Sequence, residues 1–200
     1  MMLSHRLREA LDLRHRRSPI LIEGDPRDFP SDRQGPAIPA AVLVAIVDRP
    51  DPTLILTVRT DHVRRHAGQI AFPGGRIDPQ DDGPIAASLR EAEEEIGLPP
   101  AAVDVIGIAD RYRTITGYEV TPVVGIVPPD LPLAPQPGEV AAIFEAPLGY
   151  VLEPKHQHVR TIEWQGRERC YYEIDWQGRR IWGATAAMIV NLGRRLALVG

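Results

Sequence analysis

The stretch 74-GGRIDPQDDGPIAASLREAEEEIGLPP-100 constrains this chain more than any other. Its turn residues come first, Pro84 suits a first helical position, and Gly97 followed by Pro99 suits a stop, so the spacing predicts a helix over 84–96. At about 100° per residue, Ile85, Leu89, Ala92 and Ile96 share one apolar stripe. With Glu91 at zero, Glu95 lies near ~40° and Glu94 near ~300°, so three carboxylates crowd an arc beside that stripe. Like charges three and four residues apart each cost a helix roughly 0.2–0.5 kcal/mol, so a cation is expected to offset them. Arg90 is placed to fix a carboxylate rotamer, and Gly74-Gly75 permits close backbone approach.

The stripe needs a surface to cover, and the rest of the chain supplies strands. The runs 39–47 and 53–59 are β-branched and apolar, joined by Asp48-Arg49-Pro50-Asp51-Pro52, which cannot continue a ladder. Further strands are expected at 102–109, 119–127 and 140–146. A hairpin, 170–174 with 179–182, is expected around Asp175-Trp176-Gln177-Gly178. A second helix is expected over 183–196. Leu3, Leu7 and Leu11 lie at helical spacing within 1–17, a segment whose five arginines face Glu9 and Asp12. The strands do not alternate regularly with helices. The expected class is therefore α+β, an α/β/α sandwich with a mixed sheet between helices. Residues 1–37 read as an N-terminal helix and connecting loop, and 38–200 as one folded domain.

Charge separates along the chain. Residues 76–95 hold seven acids and two arginines, a local balance of −5 against −4 for the whole chain. The remainder is thus nearly neutral, which excludes a broad nucleic-acid-coating surface. No run approaches the ~20 apolar residues of a membrane span. The single Cys170 excludes an internal disulfide framework and fits a reducing compartment, so a cytoplasmic setting is expected. Oxygen-only ligands on a helix suit Mg²⁺ or Mn²⁺, with water and substrate phosphate completing the shell. The loop after the second strand holds Arg59, Arg64 and Arg65 beside His62 and His66, and arginine forks suit a substrate with several phosphates.

Arg90-Glu91-Ala92-Glu93-Glu94-Glu95-Ile96-Gly97-Leu98 resembles the core of the Nudix box, R-E-U-x-E-E-x-G-U, with U a bulky apolar residue. Ala92 is a small choice for U, the interval from Gly75 to Arg90 is one residue longer than usual, and Asp81 or Asp82 replaces the box glutamate. This form is similar to that of the coenzyme A diphosphatase branch. The branch signature L-L-T-x-R-S-x3-R-x3-G-x3-F-P-G-G is matched in spacing by 55-ILTVRTDHVRRHAGQIAFPGG-75, with Ile55 and Thr60 as conservative departures.

The resemblance implies metal-dependent hydrolysis of the diphosphate in coenzyme A and its derivatives, yielding 3′,5′-ADP and 4′-phosphopantetheine or its acyl form. It implies Glu91, Glu95 and Glu94 as ligands of Mg²⁺ or Mn²⁺, with a backbone carbonyl of Gly74 or Gly75 as a further candidate ligand. The implied catalytic set is Glu94, Glu139 and Arg90, with Arg90 orienting a carboxylate and Glu139 a candidate general base. The substrate set is Arg59, Arg64, Gly68, Phe72, Gly74 and Gly75. Two other readings stand beside it: a broader nucleoside diphosphate hydrolase acting on ADP-ribose or NADH, and a non-catalytic Nudix ligand-binding module. The expected partner is a small-molecule substrate, with no nucleic acid and no membrane; the hairpin and the N-terminal helix are candidate homodimer surfaces.

Overall fold

Residues 38–47 carry nothing but apolar side chains, the pattern of a strand buried on both faces. In the computed structural model, which describes residues 3–12, 37–60, 68–114, 116–164 and 167–199, this segment is β1 (Ile38–Val47), the centre of the main sheet. It runs parallel to β7 (Tyr118–Val127) along its whole length, from Ile38 opposite Tyr118 to Val47 opposite Val127. The other ladders are antiparallel, which makes the sheet mixed as expected. β2 (Thr53–Arg59) follows the Asp48–Pro52 turn and pairs with β1 only at Leu54 and Thr53 before diverging. The opening wedge is filled by β3 (Ile70–Ala71), which pairs with β2, and by β4 (Gly74–Arg76), which pairs with β1 at Ala40, Ala41 and Val42. β5 (Asp104–Ile108) and β6 (Tyr112–Arg113) share the far edge of β7, and β8 (Val140–Pro147) covers the outer edge of β2.

Pro122 lies inside β7, where a residue without an N–H is normally excluded. It sits where β5 has ended and β6 has not begun, and its carbonyl still accepts the Ala109 amide at 2.9 Å.

The alternation of β1 divides the core into two. Leu43, Ala45 and Val47 face Ile55, Val123, Val127 and the helix α2 (Gly83–Ile96). Val44 and Ile46 face the opposite way, toward α1 (Leu3–Leu11), α3 (Leu148–Leu152) and α4 (Ala184–Ala197). The sheet therefore lies between helical layers, as an α+β sandwich. Leu7 and Leu11 of α1 are buried in this second core with Ile106; residues 13–36, the expected connecting loop, lie outside the described residues.

The C-terminal hairpin is longer than the sequence indicated. β10 (Arg167–Trp176) pairs with β11 (Arg179–Trp182) around Gln177-Gly178, both at positive φ (53° and 76°), as a tight two-residue hairpin turn requires. Asp175 and Trp176 are thus strand rather than turn. A third strand, β9 (His158–Trp164), completes this small sheet. Among the described residues no helix is long and apolar enough to cross a membrane.

Candidate active site

The glutamate helix α2 begins and ends where its glycines permit. Gly83 has φ 79° and Pro84 follows it in the first turn. Gly97 takes the left-handed conformation (φ 67°), and the amides of Gly97 and Leu98 return to the carbonyls of Glu93 and Ala92 at 2.9 and 3.3 Å. The buried face is wider than the expected stripe, of which Ala92 and Ile96 are buried and Leu89 half-buried. Ile85 is exposed, whereas Ala87, Ser88, Ala92, Glu95 and Ile96 are buried. On the helical wheel these span about 320° through ~140°, with Glu95 near the middle. Ile85, near ~120° on the same wheel, falls within that arc but in the first turn of the helix, where it is exposed. Glu95 lies within the packed face rather than beside it.

The Gly74-Gly75 pair of β4 makes this tolerable. The Gly74 amide donates to Glu95 Oε2 at 3.0 Å. Gly74 has φ 154°, and a Cβ there would overlap the Ala41 carbonyl and the backbone of Val42. A Cβ on Gly75 would overlap the carboxylate of Glu91 itself. The two glycines thus form a side-chain-free floor on which both carboxylates rest. Arg59, at the end of β2, brings Nη1 to 4.0 Å from Glu95 Oε1. Burial pushes the Glu95 carboxyl up to about 7, with the Gly74 amide and Arg59 opposing the rise and the charges of Glu91 and Glu139 adding to it. Burial raises Glu91 also, against the pull of Arg90.

Arg90 organises the remaining acids. Its Nε and Nη2 donate to both oxygens of Asp81 at 2.9 and 3.0 Å, and Nη1 donates to Glu91 Oε1 at 3.1 Å and Glu94 Oε2 at 3.0 Å. Nη2 also reaches the Arg76 carbonyl at 3.2 Å. The guanidinium is committed to positioning, and it selects Asp81 rather than Asp82 as the partner in the loop. Asp81 is fixed in turn by the Asp78 amide at 2.8 Å, and the Arg90 bonds hold its carboxyl below the usual range.

Glu139 belongs to the same charge cluster, since it acts electrostatically on both Glu91 and Glu95. Its loop is bonded to the end of β2 through the Thr60 amide, which donates to the Glu139 carbonyl at 3.0 Å. Gly68, with φ 68°, donates to the Arg59 carbonyl at 3.1 Å and closes the base of the loop that follows β2. Arg64 lies outside the described residues, as do Asp61, His62, Arg65 and His66. Phe72, one of the expected substrate residues, has its ring 3% exposed and packed in the core facing α4. Of the expected metal ligands, Glu91 and Glu95 share the glycine floor and Glu94 joins Glu91 through Arg90, though among the described residues no three acidic, His or Cys side chains already converge as a cage. Glu95 is turned to the Gly74 amide, while Glu91 and the exposed Glu94 are held by Arg90.

The donor set nevertheless fits a hard divalent cation. It offers only oxygens, it concentrates more negative charge than Arg90 and Arg59 balance, and its central carboxylate is disfavoured as an anion until a cation joins it. Sequence reasoning missed two residues of this site, Asp78 and Gln136. Gln136 lies in a Gln-Pro-Gly-Glu turn whose chemistry could have flagged it.

A model of the NUDIX domain matches residues 37–175, more than half of the chain. The chain belongs to the Nudix family. It is 47% identical over 159 residues to the uncharacterized Nudix hydrolase NudL of Escherichia coli O7:K1, covering 80% of this chain and 83% of that relative. NudL of Escherichia coli K12 matches equally, at 47% over 159 residues. Among solved structures, the Nudix hydrolase RenU of Mycobacterium smegmatis has a TM-score of 0.50 at 24% identity, covering 58% of this chain and 74% of that one. A MutT/nudix family protein of Enterococcus faecalis has a TM-score of 0.50 at 13% identity, covering 86% of this chain and 65% of that one. These structural likenesses establish the fold. The protein is a Nudix hydrolase, a hydrolase of nucleoside diphosphates linked to another group, taking a small-molecule substrate. Nudix hydrolases generally use divalent metal ions.

Proposed function

We propose that this Nudix hydrolase cleaves the diphosphate of coenzyme A and its derivatives, releasing 3′,5′-ADP and 4′-phosphopantetheine or its acyl form. The observation that carries this reading is the meeting of two motifs. The 55–75 stretch, whose spacing is that of the coenzyme A diphosphatases, runs through β2, β3 and β4. It ends as the glycine floor under Glu91 and Glu95, and its Arg59 lies 4.0 Å from Glu95. A phosphate-binding strand and a carboxylate helix thus serve one place.

In this reading Glu91, Glu95 and Glu94 hold Mg²⁺ or Mn²⁺, and a carbonyl of Gly74 or Gly75 is a further donor. The ion supplies Lewis acidity to the phosphoryl oxygens. Arg90 holds Glu91 and Glu94 in register through its fixed fork. Glu139 accepts the proton of the attacking water. Arg59 and Arg64 fork onto phosphate oxygens, and the 3′-phosphate of coenzyme A accounts for more basic groups than a simple diphosphate needs. Gly68 keeps the arginine loop closed at its base. The single Cys170 accords with a reducing, cytoplasmic setting.

The test is product mass. Purified protein with Mg²⁺ or Mn²⁺ is expected to convert coenzyme A to 3′,5′-ADP. Cleavage of ADP-ribose or NADH with coenzyme A left intact would replace this reading by the broader hydrolase. Calorimetric binding of coenzyme A without metal-dependent turnover would replace it by a ligand-binding module.

A further inference from the structure

Glu139 sits on an exposed Pro-Gly-Glu turn, where backbone groups ordinarily bond to water. Here all four polar backbone groups of Gly138 and Glu139 are bonded to protein. Gln136 Oε1 accepts both the Gly138 amide at 2.6 Å and the Glu139 amide at 3.0 Å, and the Glu139 amide is shared with the Gln136 backbone carbonyl at 3.1 Å. The Thr60 hydroxyl donates to the Gly138 carbonyl at 3.3 Å, and the Thr60 amide to the Glu139 carbonyl at 3.0 Å. The Gln136 amide donates to the carbonyl of Glu95 at 2.8 Å, and the Ala134 amide to that of Ile96 at 3.0 Å. The loop carrying Glu139 therefore satisfies the last carbonyls of the helix that carries Glu91 and Glu95.

The sheet is adjusted to bring Thr60 to this loop. The β2–β8 ladder slips by one residue, so that Val58 lies opposite Ala142 but Arg59 lies opposite Val140. Without that slip Thr60 would face Val140; with it, Thr60 faces Glu139. Irregularities of this kind re-aim side chains beside active sites. Thr60 is itself only 6% exposed, so its hydroxyl is held in place by packing. Gly138 also leaves room for this contact, since a Cβ there would lie 3.0 Å from Gln136 Oε1 and press on it. By contrast, the Glu139 carboxylate is exposed and makes no hydrogen bond or ion pair among the described residues.

We infer that Gln136 and Thr60 are positioning residues, a two-sided clamp that sets the Glu139 carboxylate against Glu91 and Glu95. Gln136 ties it to the end of α2, and Thr60 ties it to the arginine-bearing strand. This rests on the reading of Glu139 as the group that takes the proton from water. A floppy acid at this place would cost turnover rather than substrate affinity, because misplacement of a reacting group weakens the transition state alone.

The experiment compares Glu139→Gln, Gln136→Met, Gln136→Asn, Thr60→Val and the double variant Gln136→Met/Glu139→Gln. Metal-loaded enzyme gives kcat and KM for coenzyme A; metal-free protein gives amide hydrogen exchange at Gly138 and Glu139. Gln136→Met, which removes the side-chain acceptor but keeps the side-chain length, is expected to lower kcat about tenfold with KM unchanged, and to speed exchange chiefly at the Gly138 amide, since the Glu139 amide keeps the Gln136 carbonyl. Gln136→Asn keeps a carbonyl suited to the same two amides and is expected to retain kcat within about threefold. Thr60→Val is expected to lose about threefold in kcat. The double variant is expected to be no slower than Glu139→Gln, because the clamp acts only through Glu139. Normal kcat in Gln136→Met while Glu139→Gln is impaired overturns the clamp and spares the reading of Glu139. Normal kcat in Glu139→Gln overturns that reading and the inference with it. Equal loss in Gln136→Asn and Gln136→Met, or a double variant slower than Glu139→Gln, assigns Gln136 a merely structural role.

Discussion

Replacing Glu95 with Gln separates the stability of this fold from its chemistry. Glu95 is 4% exposed, and its carboxyl stands at about 7 against 4.5 for an unperturbed glutamate. A group whose folded value is raised stabilises the fold while protonated and loses that contribution as pH rises from the unfolded to the folded value. For the metal-free protein the loss runs from about pH 4.5 to about pH 7, and at 1.36 kcal/mol per tenfold it reaches about 3 kcal/mol by pH 8. Glutamine imitates the protonated carboxyl: its oxygen still accepts the Gly74 amide, and only the 4.0 Å attraction to the partly exposed Arg59 is forfeited. Glu95→Gln should therefore be more stable than the parent by roughly 3 kcal/mol at pH 8 and by only about 1 kcal/mol at pH 5. In a chain of this size the pH 8 difference corresponds to roughly 8 °C in Tm. Thermal melts in chelator at both pH values read this directly, and turnover of the same variant should be abolished. A variant that melts below the parent at pH 8, or by the same margin at both pH values, would refute the idea that a buried anion is what the metal-free site stores.

Other outcomes follow from single contacts. Gly75→Ala would drive a methyl into the Glu91 carboxylate, so metal-dependent turnover should fall about a hundredfold while circular dichroism retains the native spectrum. Phe72→Leu should lose about 1–2 kcal/mol in urea unfolding and leave KM for coenzyme A unchanged, because the ring is in the core; a raised KM with normal stability would return it to the binding site. Asp110 accepts two bonds from Arg195 at 2.8 Å and one from Asn191 at 2.8 Å in a nearly dry setting. Asp110→Asn, against α4, should cost about 3 kcal/mol in urea with kcat intact.

The legible parts of the fold were those written in long runs of one kind of side chain. β1, β2, β7 and β8 announced themselves by apolar, β-branched runs, and α2 by Pro84 at its start and Gly97 at its end. β4 could not be read, because Gly-Gly-Arg has no strand propensity and exists as a strand only through its pairing with β1. β9 alternates polar and apolar side chains too weakly to stand out, and its place is set by β10. Ala92 and Ile96 of the α2 face were legible from apolar spacing, whereas the buried Ser88 and Glu95 were not, because polar side chains do not count toward an apolar stripe. The acids of the site were legible as types at a spacing, whereas the choice of Asp81 over Asp82 depended on which carboxylate the Arg90 fork reaches. Gln136 and Thr60 carry no charge and act through backbone groups, so their part emerges only when the loop and β2 are seen together.

The proposed function places one reaction at one site with one kind of ion. Its most direct test titrates Mg²⁺ or Mn²⁺ into metal-free protein holding coenzyme A and ADP-ribose in equal amounts, with both product masses followed in the same vessel. Release of 3′,5′-ADP should rise from background with the metal and outpace cleavage of ADP-ribose by about tenfold or more. Cleavage that ignores the metal, or ADP-ribose consumed as fast as coenzyme A, would contradict it.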